Sequence, residues 1–186
     1  MEAGKTAFPK RRAAAERNRD KILDAAREAF TEPAPDISMA EIARRAGVGM
    51  ATLYRNFPGR QELLEALYAD EVDQICAAAT IEPGQSPADA LTAWLRLQIA
   101  FIPHKRLIIS ELLQHTDRDD ITSHRARAIE AGGPLLTAAQ NAGEIRTDLT
   151  LEQIFDLIVA VAKINEFPDY LQPLFDAVLD GLHLTA

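Results

Sequence analysis

The sequence predicts an all-α fold, and three observations carry that prediction. Apolar residues recur at i, i+3, i+4 and i+7 along most of the chain. No stretch alternates apolar and polar residues as a half-buried strand does, and no hairpin signal or internal repeat appears. Glycines and prolines fall between the periodic runs, where helices would stop.

In chain order, residues 1–16 carry Lys5, Lys10, Arg11 and Arg12 beside Pro9 and several alanines, which reads as a basic flexible arm, free to run into the first helix. From Arg17, Ile22, Ala26, Ala29 and Phe30 define an amphipathic helix that Pro33 and Pro35 stop. Ser38 is an N-cap with Glu41 three residues on, a Ser-x-x-Glu capping box. A short helix follows with Met39, Ile42, Ala43 and Ala46 on one face, closed by Gly47. After Val48 and Gly49 a second short helix runs to about Phe57, burying Leu53 and Phe57, and Pro58-Gly59 breaks the chain again. The helix from Arg60 buries Leu64, Leu67 and Ile75. The loop from Ile81 to Pro87 reads as a hinge. Beyond it lie a helix from Ala90 to Phe101, a break at Pro103 and a helix from Lys105 to His115. The stretch from Arg118 to Asn141 is expected to break or kink at Gly132-Gly133-Pro134. Residues 151–164 are apolar nearly all round, as a helix covered on several sides would be. The last helix, from Pro168 or Asp169, carries the stripe Leu171, Leu174, Phe175, Val178 and Leu182.

The 186 residues suffice for a sizeable core. The net charge of −8 conceals an asymmetry: residues 1–60 hold 12 Lys and Arg against 8 Asp and Glu, the remainder 8 against 20. A basic first third on an acidic body suits a nucleic-acid reader with a second module. Cys76 is the single cysteine, so an internal disulfide and a cysteine-based zinc site are excluded. The four histidines lack tight ligand spacing, and no metal or other cofactor is expected. No signal peptide or membrane-spanning run is legible, so a cytoplasmic home and no membrane partner are expected. No phosphate-cradling glycine loop, nucleophile elbow or paired catalytic carboxylates appear, which argues against an enzyme.

Two short helices around a glycine turn form a helix-turn-helix pattern, whose second helix enters the major groove. With Leu53 and Phe57 turned to the core, Met50, Ala51, Thr52, Tyr54, Arg55 and Asn56 lie on or near the open faces. Arg55 has the forked donor that suits guanine, and Tyr54 and Asn56 can donate to phosphate oxygens. Ser38 and Arg60 stand at helix starts, where free N–H groups favour an anion.

Residues 17–68 closely resemble the DNA-binding head of the TetR family of bacterial transcriptional repressors. The matching residues are Ile22-Leu23-Asp24-Ala25-Ala26, Phe30, Ile42-Ala43, Ala46-Gly47-Val48, Thr52-Leu53-Tyr54, Phe57, Arg60 and Leu63-Leu64. Residues 142–148 (AGEIRTD) look like that family's linker into its penultimate helix. The resemblance implies a head over 17–62 and a ligand-binding and dimerisation body over 63–186. It implies a homodimer placing two heads in successive major grooves of a near-palindromic operator. Its phosphate-contacting positions fall on Ser38, Tyr54, Asn56 and Arg60, and its base-reading positions on Met50, Ala51, Thr52 and Arg55. Asn56 stands where His is common and Arg60 where Lys is common, and both keep donors. Ala40 offers no long side chain, and the Pro33–Pro35 loop replaces a glycine turn, so no known operator transfers.

For the body, the resemblance implies an effector pocket between residues 86 and 165 and a dimer interface on the last two helices. Trp94, Gln98, His104, Ile108, Glu111, Leu112 and His115 supply apolar walls with a few polar groups, as a small-molecule site needs. Trp94 also fits a core position, and Glu111 with His115 a surface pair. Phe155, Ile158, Val159, Ala162, Leu171, Leu174, Phe175, Val178 and Leu182 are the interface candidates, in a bundle with their symmetry mates; they also fit a monomer core. The expected function is a homodimeric, ligand-released transcriptional repressor. A DNA-binding protein without an effector and a helical dimeric interaction protein remain the alternatives.

Overall fold

A computed structural model describes residues 7–31, 37–112, 118–164 and 168–184. Its helices are α1 (Ala7–Thr31), α2 (Met39–Arg45), α3 (Met50–Asn56), α4 (Arg60–Ala77), α5 (Pro87–Leu112), α6 (Arg118–Asn141), α7 (Leu151–Ala162) and α8 (Pro168–Asp180). Among the described residues there is no strand, only an isolated bridge between Ile145 and His183.

Four expectations are corrected. Residues 7–16 are not a loose arm but the first turns of α1, where Ala13-Ala14-Ala15 and the Arg12–Glu16 pair at i, i+4 favour helix. Pro103 does not end a helix, since α5 runs through it to Leu112. A proline removes one hydrogen bond, and the burial of Leu91, Leu95, Ile108 and Leu112 along the same helix outweighs that loss. Likewise α6 continues through Gly132, Gly133 and Pro134, and Thr137 Oγ1 donates to Gly133 O at 3.0 Å. The capping box at Ser38 is half-formed. Ser38 Oγ accepts from the Glu41 N–H at 3.2 Å, whereas the Glu41 carboxylate accepts from Arg44 and Arg45.

The helices form two compact units, which divide inside α4 and α5 and not at the 81–87 loop. One holds α1–α3, α4 as far as Asp70 and the part of α5 from Pro103. Its core is Ile22, Ala26, Phe30, Ile42, Leu53, Phe57, Leu63, Leu64 and Leu67.

The other unit holds the rest of α4 and α5 with α6, α7 and α8. Leu91, Trp94, Leu95, Leu135, Ala139, Ile145, Ile154, Phe155, Ile158, Phe175 and Leu179 form its core. The linker after α6 is built by its residues. Gly143 adopts φ 69°, and Glu144 N–H donates back to Ala139 O at 3.1 Å, closing the helix in a Schellman turn. Glu144 Oε2 then accepts from Ala88 N–H at 2.8 Å, satisfying an orphan donor in the first turn of α5. Thr150 and Gln153 form a reciprocal capping box that starts α7.

Candidate nucleic-acid interface

The turn between α2 and α3 depends on Gly47. It lies at φ 65°, a region that side chains disfavour. Val48 N–H reaches Ala43 O at 3.0 Å and Gly47 N–H reaches Arg44 O at 3.2 Å, again a Schellman closure. Gly49 caps α3 through its carbonyl, which accepts from Thr52 and Leu53.

On α3, Leu53 is fully buried and Phe57, just past its end, is 1% exposed. These two anchors turn the remaining residues outward. Met50 is 39% and Tyr54 46% exposed, Ala51 and Arg55 are exposed, and Thr52 and Asn56 are half-buried. The Arg55 side chain lies along its own helix, Nε donating to Ala51 O at 2.9 Å and a terminal nitrogen to Thr52 Oγ1 at 3.3 Å. Asn56 Nδ2 donates to Thr52 O at 2.8 Å. Exposed Ser38 keeps its hydroxyl proton available while its oxygen caps α2.

Arg60 is placed differently from the expectation of a phosphate-facing cation. Its guanidinium donates to both Glu111 carboxylate oxygens at 2.7 Å and to Ile37 O, and lies 5.4 Å from the Phe30 ring centroid. Its charge is answered within the chain. One group that sequence reasoning missed packs beside the end of α3. Arg19 of α1 lies 4.7 Å over the Phe57 ring, a cation–π contact that no linear spacing reveals. Glu41 gathers Arg44 and Arg45, whose hydrogen bonds lower its pKa to about 2, Arg44 contributing most.

The residues expected to line an effector pocket belong to both compact units. Trp94 is 2% exposed in the second unit's core. Its indole N–H donates to Ile75 O at 2.9 Å, and its ring lies 5.8 Å from that of Phe155. Gly132 packs so closely on it that a Cβ there would stand 2.1 Å from the indole. Gln98 is also buried in that unit, and its Nε2 has no hydrogen-bond partner among the described residues. Ile108 and Leu112 are buried, but with Glu111 they belong to the first unit. The His104 side chain and His115 lie outside the described residues. The sequence reading missed Glu71, 2% exposed in the second unit. Its register, seven after Leu64 and four after Leu67, was the available signal.

On α7 the expected interface splits into two faces. Phe155, Ile158 and Ala162 join Leu151 and Ile154 in the chain's own core, as do Phe175 and Leu182 from α8 and the turn after it. A helix apolar all round has two stripes, and burial uses the one at i, i+3, i+4, i+7 and i+11. Val159 remains exposed and Leu171, Leu174 and Val178 half-buried, while Leu157, Ile164 and Tyr170 add exposed apolar surface.

Residues 86–184 match the family described as transcriptional regulator SbtR-like, C-terminal domain, and residues 22–67 match the bacterial regulatory proteins of the tetR family. The crystal structure of the TetR transcriptional regulator SCO0520 from Streptomyces coelicolor is 38% identical. The alignment covers 90% of this chain and 99% of that one, with a TM-score of 0.73.

The chain belongs to the TetR family.

Two curated relatives match over shorter stretches. The HTH-type transcriptional repressor LfrR of Mycolicibacterium smegmatis is 40% identical over 79 residues, 41% of each chain. The HTH-type transcriptional regulator Rv1255c of Mycobacterium tuberculosis is 38% identical over 85 residues, 42% of each chain. This chain therefore spans less than half the length of either. Among the described residues, no helix of this TetR-family chain is long and apolar enough to cross a membrane, and no cluster of His, Cys, Asp and Glu could hold a metal ion.

Proposed function

We propose that this chain is a DNA-binding transcriptional regulator that represses by occupying a near-palindromic operator as a homodimer. The observation that carries the reading is α3: Leu53 and Phe57 anchor it, while Met50, Ala51, Tyr54 and Arg55 stand outward on one short helix. Two such helices, held about 34–36 Å apart, would enter successive major grooves. Arg55 would exchange its bonds to Ala51 and Thr52 for a guanine edge. Thr52 would read beside it, with Tyr54, Asn56 and Ser38 on phosphates. The repressor named among the relatives supports the sign of regulation. The exposed apolar side chains Leu157 and Val159, flanking the buried face of α7, with Tyr170 on α8, support pairing with a second copy.

Release by a small molecule completes the proposal. Among the described residues, Gln98 and Glu71 are the buried polar groups of the second unit. A buried amide donor left unpaired costs about 1–3 kcal/mol, so a ligand acceptor there would be favoured. The ligand must bind the two operator-binding states with different affinities to shift them. Trp94, seated against Gly132, favours a second reading in which the body is filled and takes no effector.

One experiment tests both. Duplexes are selected from a random pool by the full chain, then rebound with candidate small molecules present. Enrichment of a two-fold symmetric site that a molecule releases is expected. No enriched sequence would remove the operator reading, and release by none of a broad panel would favour the filled body.

A further inference from the structure

Arg60 opens α4, and three residues of the first unit converge on its guanidinium. Nε and one terminal nitrogen donate to the two Glu111 carboxylate oxygens at 2.7 Å, and the other terminal nitrogen donates to Ile37 O. The Phe30 ring lies beside them, its centroid 5.4 Å from the guanidinium carbon. Ile37 directly precedes Ser38, the exposed N-cap of α2. The guanidinium therefore stands next to the residue whose hydroxyl is assigned above to a phosphate. It is also open to solvent, since the Arg60 and Glu111 side chains keep 34% and 37% of their exposure.

A guanidinium fork suits a phosphate as well as a carboxylate, in each case through two parallel N–H···O bonds. Both anions would approach the same two nitrogens, so one excludes the other. Glu111 holds that fork from the last turn of α5, 51 residues away in the chain. Ile108 and Leu112 flank it on the same helix and are buried in this unit. The segment carrying the carboxylate is thus seated on the unit's core and does not hang beside it.

We infer that Glu111 is an intramolecular competitor of the operator, its carboxylate occupying the Arg60 fork that a DNA phosphate beside Ser38 would otherwise take. This rests on the DNA-binding reading above. The contact is autoinhibitory: a duplex meets Arg60 as a neutral ion pair and gains its charge only by displacing the carboxylate. Solvent screening leaves that pair weak enough to be displaced. Phosphate contacts carry no sequence information, so the latch lowers affinity for every duplex alike and leaves base preference to α3.

The test uses the full chain and a duplex enriched from the random pool, with affinity measured across a salt series. Glu111→Gln keeps the size of the side chain and removes its charge. It should tighten binding and steepen the slope of log K against log salt by about 0.9 per protomer, or about 1.8 for the homodimer. The ranking of variant duplexes should stay the same. Removing an acid near DNA also strengthens binding through the general field, so the deciding arm repeats the substitution in an Arg60→Ala background. There Glu111→Gln should leave the slope unchanged. A second measurement needs no variant: adding the duplex to the wild-type chain should move the Arg60 Nε–H proton resonance as its acceptor changes. Equal steepening with and without Arg60, an unchanged slope for Glu111→Gln, or an unmoved resonance overturns this inference, and each leaves the head reading intact. A wild-type chain that binds no duplex overturns both.

Discussion

Arg60 and Glu111, 51 residues apart in the chain, are joined by two parallel hydrogen bonds of 2.7 Å. The bidentate geometry ties the first residue of α4 to the last turn of α5 within one compact unit. Both side chains are about one-third exposed, so solvent screens much of the attraction. Glu111→Ala should lower the stability of this unit by about 1 kcal/mol, read as a shift in the denaturant midpoint. Arg60→Lys, with Glu111 in place, should lose most of the same contribution, because an ammonium cannot bridge both oxygens.

Tyr54 and Leu53 are neighbours with opposite roles, which separates binding from folding. Leu53→Ala should cost about 2–5 kcal/mol through the cavity it leaves. Tyr54→Phe should leave the unfolding curve within about 0.5 kcal/mol of wild type and weaken duplex binding across all sequences. Equal binding by wild type and Tyr54→Phe would remove the Tyr54 hydroxyl from the interface.

Gly47 tests the turn without steric confusion. A Cβ at this position would meet nothing within 4 Å, so strain at φ 65° is the whole penalty. Gly47→Ala should destabilise by about 1 kcal/mol, and chemical denaturation measures it directly.

Gly132 is the opposite case. A Cβ there would overlap the Trp94 ring at 2.1 Å, and the ring is also held by its bond to Ile75 O. Gly132→Ala should cost about 1–3 kcal/mol by overpacking. Trp94 is the sole tryptophan, so its intrinsic fluorescence reports displacement of the ring.

Glu41 sets an acid response. Its carboxyl has an ordinary value of 4.5 and is lowered to about 2 by hydrogen bonds from Arg44 and then Arg45. A folded value below the unfolded one stabilises the fold above about pH 4.5, and that contribution disappears as pH falls toward 2. Glu41→Gln removes the charge at all pH values. The variant should therefore show a flatter stability profile between pH 4.5 and 2 than wild type, by denaturation at stepped pH.

The sequence by itself determined the helical class, the order of the short helices around Gly47, and the burial of Leu53 and Phe57. These follow from periodicity and caps, which act over one or two turns and are written locally. Ser38 was legible as a cap for the same reason, and the ordered motifs of residues 17–68 carried the family. Tertiary structure decided the rest. Pro103 and Pro134 break rules of local propensity, yet burial of apolar residues along α5 and α6 keeps those helices continuous. Arg60 reads locally as an anion-binding helix start, and only packing gives it Glu111 and Phe30. The apolar residues of α7 cannot say which stripe is core, because that depends on which neighbours arrive. Long-range partners are set by the whole chain's burial, and no single window of sequence contains that information.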